Sequence, residues 1–305
     1  MRIVVTGGAG FIGSHICDFL LAGSHDVLVV DNLSSGKMAN LAGVGIAIKD
    51  ITKDDLAPDF FGADAVFHYA ADPEVRRSTS LPEETFRTNV RGTLSVLEAC
   101  RKSDVKKIVF ASTSTVYGEA KTLPTPESSP CEPISNYGAS KLAGEAYCFS
   151  YAGTYGLKVT ILRYANIFGP RSSHGVTYDF YRKLCENKKT LEILGDGRQK
   201  KSYLYISDAV EATIAAFECQ QSKVEAYNIG SYKNVTVAEL AKTVCAHLGA
   251  TPKFEYTGGH RGWEGDVAEM LLDGKKISSL GWNEKTEFKE GIARYLDWLG
   301  SGKIR

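Results

Sequence analysis

Seven cysteines are scattered along the 305-residue chain, at Cys17, Cys100, Cys131, Cys148, Cys185, Cys219 and Cys245, with no C-x-x-C pair and no histidine at zinc-site spacing. Such an odd, dispersed set reads as reduced, buried thiols, not as a disulfide framework or a metal site. Charge of one sign is also missing. Lys plus Arg and Asp plus Glu both count 36, so no general basic surface for nucleic acid is indicated, although a local anion pocket is compatible with the balance. No apolar run approaches the ~20 residues that span a bilayer. Residues 2–6 already read as a strand, leaving no room for a signal peptide, so a cytoplasmic location is expected. Repeats and low-complexity segments are absent. What remains, 43% hydrophobic and 24% charged residues, is an ordinary globular composition, long enough for a large core and a smaller partner domain.

Apolar strands alternate with helical patterns through the first half. Strands are expected at 2–6, 26–30, 45–48, 65–68, 107–111 and 158–162, and helices at 11–22, 82–102 and 137–155. Repeated β-α-β units bury their strands as a parallel sheet covered on both faces, which predicts an α/β, doubly wound, Rossmann-type domain over residues 1–163. After Arg163 the alternation decays. Helices are expected near 177–187, 208–219, 236–248 and 288–299, in a smaller α/β substrate domain over 164–305, with strands free to cross back between the two.

The turn between the first strand and first helix reads Thr6-Gly7-Gly8-Ala9-Gly10-Phe11-Ile12-Gly13. Gly7 and Gly10 let bare backbone N–H groups approach a pyrophosphate, Phe11 and Ile12 open the helix whose N-terminus faces the anion, and Gly13 lets that helix pack close. Asp31 closes the second strand about 20 residues on, where a carboxylate accepts hydrogen bonds from ribose hydroxyls and repels a 2′-phosphate. NAD is therefore expected over NADP. Asp50-Ile51 after the third strand has two readings, an adenine clamp or a strand end capping the next helix.

Tyr137 and Lys141 stand at i and i+4 at the start of a helix and project from one face. A lysine ammonium and a nicotinium ring beside the phenol would lower its pKa, by about 3 units for roughly 4 kcal/mol, so that it takes a proton from a substrate hydroxyl while hydride leaves the same carbon. The stretch Ser112-Thr113-Ser114-Thr115-Val116-Tyr117-Gly118 follows the fifth strand, at the sheet edge where α/β proteins bind ligands.

In this order the phosphate loop, Asp31, the post-strand hydroxyls and Tyr137/Lys141 resemble the short-chain dehydrogenase/reductase superfamily, in its extended branch acting on nucleotide sugars, and more closely the UDP-glucose 4-epimerases. Asp31-Asn32-Leu33-Ser34-Ser35-Gly36 is similar to a segment that wraps the adenosine ribose. His68-Tyr69-Ala70-Ala71 occupies the family's H-x-A-A/G position beside the cofactor, and Asn89-Val90 fits its N-V-x-G-T helix. The resemblance implies cofactor contacts at Asn32, Ser34, Ser35, Gly36, Tyr69, Ala70, Ala71, Asn89, Ser112 and Tyr164 as well. It puts the catalytic hydroxyl at Thr113, where serine is common, with Ser112 and Ser114 as the other candidates.

The family's 4,6-dehydratases carry an Asp-Glu pair after the catalytic threonine, and its decarboxylases a glutamate two residues after it. This chain has Ser114 and Thr115 there. The resemblance therefore implies UDP-glucose/UDP-galactose 4-epimerisation and a role in galactose metabolism, with UDP-glucuronate and N-acetylated hexoses left open as substrates. Substrate contacts implied are Thr113, Tyr137, Asn166 in Arg163–Arg171, Val176, Gln199, Lys201 and Tyr203 around the Gly195-Asp196-Gly197 turn, and Arg261 and Asp266 in Arg261-Gly262-Trp263-Glu264-Gly265-Asp266. Lys201 stands where the family has arginine and lacks its bidentate fork; Arg261 is the expected partner of the diphosphate. The resemblance also implies a homodimer formed by the helices at 82–102 and 137–155.

Overall fold

The structure, a computed structural model, describes residues 1–263 and 265–302. The first half runs β1 (Arg2–Thr6), α1 (Phe11–Ala22), β2 (Asp26–Asp31), β3 (Gly45–Ile48), α2 (Ala57–Phe60), β4 (Ala65–His68), α3 (Val75–Ser80), α4 (Pro82–Phe86), α5 (Gly92–Lys102), β5 (Lys107–Thr113), α6 (Asn136–Tyr155) and β6 (Lys158–Tyr164). The second half continues with β7 (Asn166–Phe168), α7 (Val176–Glu186), β8 (Thr190–Ile193), β9 (Lys200–Tyr205), α8 (Ile206–Glu218), β10 (Val224–Ile229), β11 (Asn234–Thr236), α9 (Val237–His247), β12 (Lys253–Tyr256), α10 (Lys275–Ser278) and α11 (Phe288–Gly300).

Seven strands form one parallel sheet in the order β10-β6-β5-β4-β1-β2-β3. Strand alternation divides its core cleanly. Ile3, Val5, Val29, Phe67, Val109 and Leu162 face one side with α1 and α8. Val4, Val30, Val66, Ile108, Phe110 and Ile161 face the other with α5 and α6. Both faces are buried, which is why these strands read as continuous apolar runs. The chain reverses its direction of winding between β1 and β4, so their carboxyl ends open a crevice. β10 crosses back from the second half to extend the sheet beside β6.

Several elements differ from expectation. The helix at 82–102 contains a π-turn over Arg87–Arg91, β5 and β6 each run two residues further, and the second half contains two small sheets, β11-β9-β7 and β12-β8, that periodicity did not indicate. Strands of three or four residues carry too few alternations to register.

Helix α6 lies very close to the sheet because Gly144 has no side chain: a Cβ there would sit 2.5 Å from the Phe110 ring. Gly144→Val is expected to cost about 1–3 kcal/mol by overpacking and to lower the thermal midpoint by several degrees. An unchanged melting curve would refute this packing.

Candidate active site

The phosphate loop is built on backbone proximity. Gly7 has φ +71° and its N–H donates to the Val30 carbonyl at 2.9 Å. A Cβ on Gly7 would meet the Ala70 nitrogen at 2.5 Å, and one on Gly13 the Gly7 carbonyl oxygen at 2.3 Å. Gly10 precedes α1 as its N-cap, with Phe11 and Ile12 in the first turn. Ala70 and Ala71 thus run along the loop from β4, while Asp31 ties it to β2: its carboxylate accepts from the Ala9 N–H at 3.0 Å and the Leu33 N–H at 2.8 Å. The segment after Asp31 folds onto the same loop. Asn32 accepts from the Ser34 N–H at 3.0 Å, Ser34 and Ser35 are exposed, and Gly36 packs on Ala9. A glycine cradle at a helix N-terminus with a carboxylate at the end of β2 fits a dinucleotide pyrophosphate and an unphosphorylated ribose.

Asp50 accepts from the Thr52 N–H at 2.8 Å and hydroxyl at 2.7 Å, and Ile51 is buried against Gly92. These contacts make a turn directly after β3. Asn89 sits in the π-turn, fully buried, and its amide is occupied by the Asp72 backbone and the Ser140 hydroxyl, all within 3.0 Å. It fastens the segment after β4 to α6. Tyr69 and Tyr164 share a hydrogen bond at 2.8 Å, and Tyr164 also contacts the Thr213 hydroxyl at 2.6 Å.

β5 ends at Thr113, whose hydroxyl accepts from the Thr115 N–H at 3.2 Å and is the neighbouring group that favours the ionised form of the Tyr137 phenol. α6 begins with Ser135 capping the Gly138 N–H at 3.1 Å, and α3 braces it, the Ser78 hydroxyl accepting from the Tyr137 N–H at 3.1 Å. Tyr137 and Thr113 are therefore together, with Lys141 one turn on. The electrostatics differ from expectation. Burial pushes the Tyr137 phenol up to about 12, with the Thr113 hydrogen bond opposing and Asp72 and Glu74 reinforcing the rise. Burial pulls Lys141 down to about 8, against Cys148 and Glu145, and its ammonium lies over the Phe110 ring at 5.0 Å. The chain alone does not acidify this phenol. Ser112, one residue before Thr113, turns its hydroxyl under the sheet to Glu145 at 2.5 Å.

On the second-half side, Asn166 donates to the Ser202 carbonyl at 3.0 Å, and Val176 opens α7. Gln199 is buried, with Nε2 on the Leu194 carbonyl at 3.2 Å and Oε1 without a partner among the described residues. Lys201 is not a free cation: it pairs with Asp266 at 2.7 Å, whose other oxygen accepts from the Gly262 N–H at 3.1 Å. Tyr203 is buried against Phe168 and Phe288. Arg261 pairs with Glu119 across the cleft and keeps 42% of its side chain exposed. The neighbouring Trp263 stacks under Arg76 at 5.1 Å. Glu264, part of the same motif, lies outside the described residues. Glu145 was missed from sequence, although it continues the Tyr137, Lys141 series by one more turn.

Among the described residues no cluster of His, Cys, Asp and Glu is placed to hold a metal, and no helix is long and apolar enough to cross a membrane. Fold and site together define a dinucleotide-binding α/β protein with a tyrosine–lysine pair at the carboxyl ends of its strands. Comparison with known proteins agrees. The model of the NAD dependent epimerase/dehydratase family matches residues 3–230. A UDP-glucose 4-epimerase from Mycolicibacterium smegmatis is 34% identical, the match covering 98% of each chain. The crystal structure of a UDP-galactose 4-epimerase superposes with a TM-score of 0.91 at 43% identity, covering 99% of each chain. A dTDP-glucose 4,6-dehydratase from Streptomyces venezuelae, crystallised with NAD, superposes at 0.92 with 32% identity, covering 99% of this chain and 98% of that one. The chain belongs to the NAD-dependent epimerase/dehydratase family, the extended short-chain dehydrogenases/reductases, and its cofactor is NAD.

His68 supplies a pH dependence. Its ring is buried between the Thr6 hydroxyl at 2.7 Å and the Thr93 hydroxyl at 3.0 Å, and burial, with Lys141 nearby, lowers its pKa from 6.5 to about 3. Below pH 6.5 the unfolded chain takes up a proton that the folded one refuses, so stability falls as pH drops toward 3, at a slope of up to ~1.4 kcal/mol per unit. Denaturant unfolding at pH 7 and pH 5 is expected to show this loss, and His68→Gln to remove its share. Equal slopes in both proteins would rule it out.

Proposed function

We propose that the protein interconverts UDP-glucose and UDP-galactose at C4. The observation that carries this reading is Thr113 at the end of β5 acting on the Tyr137 phenol, followed by Ser114 and Thr115 instead of carboxylic residues. Thr113 and Tyr137 share the C4 hydroxyl, and Tyr137 takes its proton and later returns it. Bound NAD supplies the hydride acceptor and donor, together with a positively charged ring that favours the phenolate. Lys141, one helical turn away, adds its charge once it is protonated. With neither acid nor base beside Thr113 to drive elimination or decarboxylation, the keto sugar has one simple outcome, hydride return to its opposite face.

That outcome requires the hexose to turn while the nucleotide stays fixed. Asn166, Val176, Gln199 and Tyr203 line the anchoring side, and the unpartnered Gln199 oxygen is ready to accept a donor. Lys201 and Asp266 hold each other and shape that wall. Arg261 is the cation available to the diphosphate, exchanging Glu119 for substrate.

Purified protein incubated with UDP-galactose and no added cofactor is expected to yield UDP-glucose without net nicotinamide reduction. Tyr137→Phe is expected to abolish turnover, by a factor of about 10² or more, yet retain NAD. Full activity in Tyr137→Phe would exclude the phenol as base, and a 4-keto-6-deoxy product would make the enzyme a dehydratase.

We infer further that the protein is a homodimer through α4, α5 and α6. Phe86, Phe149 and Tyr155, exposed by 60%, 52% and 53%, lie on these helices. Sedimentation at low micromolar concentration is expected to give twice the chain mass of 33.2 kDa; a lone monomer would reject the interface.

A further inference from the structure

Three buried polar residues form one row across the sheet. Ser112 on β5 pairs in register with Arg163 on β6, and Arg163 with Asn228 on β10. Their exposures are 4%, 6% and 0%. By strand alternation Ser112 follows Phe110, and Arg163 follows Ile161, on the face covered by α6. Glu145 reaches down onto this row from α6. One carboxylate oxygen accepts from Ser112 at 2.5 Å and from Arg163 Nε at 3.0 Å; the other accepts from Arg163 Nη2 at 2.7 Å. The remaining Arg163 nitrogen donates to the Tyr117 hydroxyl at 2.8 Å and the Glu127 carbonyl at 3.0 Å, and Tyr117 donates to Asn228 at 2.7 Å.

The next row on the same strands is Thr113 beside Tyr164. Along α6, Glu145 is one turn from Lys141 and two from Tyr137. A side chain that grips both strands one residue before Thr113 therefore fixes how far α6 slides and rotates over the sheet, and with it where the phenol meets the Thr113 hydroxyl. None of the three row residues faces the cleft. We propose that Glu145 and Ser112 are positioning residues, which set the Tyr137–Thr113 geometry through the buried clamp with Arg163; this rests on the proton transfer assigned to Tyr137 under the proposed function.

Ser112→Ala tests this gently, since it removes one hydrogen bond and keeps the ion pair. Two readouts separate the inference from the epimerase reading. The first needs no turnover: the ultraviolet titration of Tyr137 in the NAD-loaded protein, isolated from the other fourteen of fifteen tyrosines by difference against Tyr137→Phe in the same background. The groups facing the phenol are Asp72 and Glu74 after β4 and Thr113 on β5, while Lys141 on its own helix lies over Phe110. The midpoint is expected to rise by about half a unit in Ser112→Ala as the Thr113 contact loosens. It should rise also in Glu145→Gln, where loss of a negative charge alone would move it down. The second readout is steady-state kinetics with UDP-galactose: kcat is expected to fall roughly tenfold with KM unchanged, and Ser112→Thr to restore both kcat and the midpoint. An unmoved midpoint with unaltered kcat in Ser112→Ala overturns the inference. So does a loss that threonine fails to restore and that follows the drop in thermal midpoint. A shifted and restored midpoint in a protein inert toward every UDP-hexose keeps the clamp and removes the epimerase reading instead.

Discussion

An ion pair with no more than 7% of either side chain exposed joins α6 to the sheet, Arg163 to Glu145. Such a pair is a weak source of stability, because desolvating two charges costs about as much as their attraction returns. Its value is geometric. Apolar contacts tolerate sliding, whereas a bidentate guanidinium–carboxylate pair with a third donor does not. The surrounding contacts of α6 are of the tolerant kind, Phe110 against Gly144 and Cys148 among aliphatic side chains. The clamp supplies the directional element in an otherwise apolar interface, and Tyr137, Lys141 and Thr113 all hang from it. The same arginine reaches Glu127 and, through Tyr117, Asn228, which binds the Thr125 and Asp273 carbonyls. Chain segments more than 100 residues apart are thus referred to one point under the site.

A second constraint is the near contact of backbones at the phosphate loop. Gly7 leaves room for Ala70, and Gly13 leaves room for the Gly7 carbonyl. The Asp31 carboxylate fastens the loop through Ala9 and the next segment through Leu33. Losing it would disturb the cradle.

The parallel sheet was legible because its strands are apolar on both faces and separated by amphipathic helices. The helix expected near 236–248 is α9, and in the structure Thr236 and Glu239 close its start with a reciprocal capping box. The phosphate loop, Asp31 and the Tyr137/Lys141 spacing were legible for the same reason: they are local patterns. What escaped the sequence is non-local. Strands as short as Asn166–Phe168 and Asn234–Thr236 acquire meaning only when β9 lies between them. Lys201 reads as a free cation until it meets Asp266, 65 residues away. Ser112 reads as one of several equivalent hydroxyls until strand register turns it toward Glu145 and leaves Thr113 at the open edge. Tyr137 reads as a phenol acidified by its lysine and a nicotinium ring together; in the chain by itself burial acts on both side chains and on each raises the cost of charge.

A phenol pushed up to about 12 and a lysine pulled down to about 8 are both driven toward neutrality by the same desolvated pocket. Neither group relieves the other, because Lys141 leans over Phe110 and Thr113 alone among the phenol's neighbours favours its ionised form. A phenol in such a pocket keeps its proton until a cation enters beside it. The positively charged ring of NAD has the required sign, whereas the reduced, neutral ring lacks it. The phenol therefore favours giving up its proton when the cofactor is ready to accept hydride, and favours holding it when the cofactor is ready to return hydride. On the proposed function, the direction of proton movement would follow the redox state of the dinucleotide.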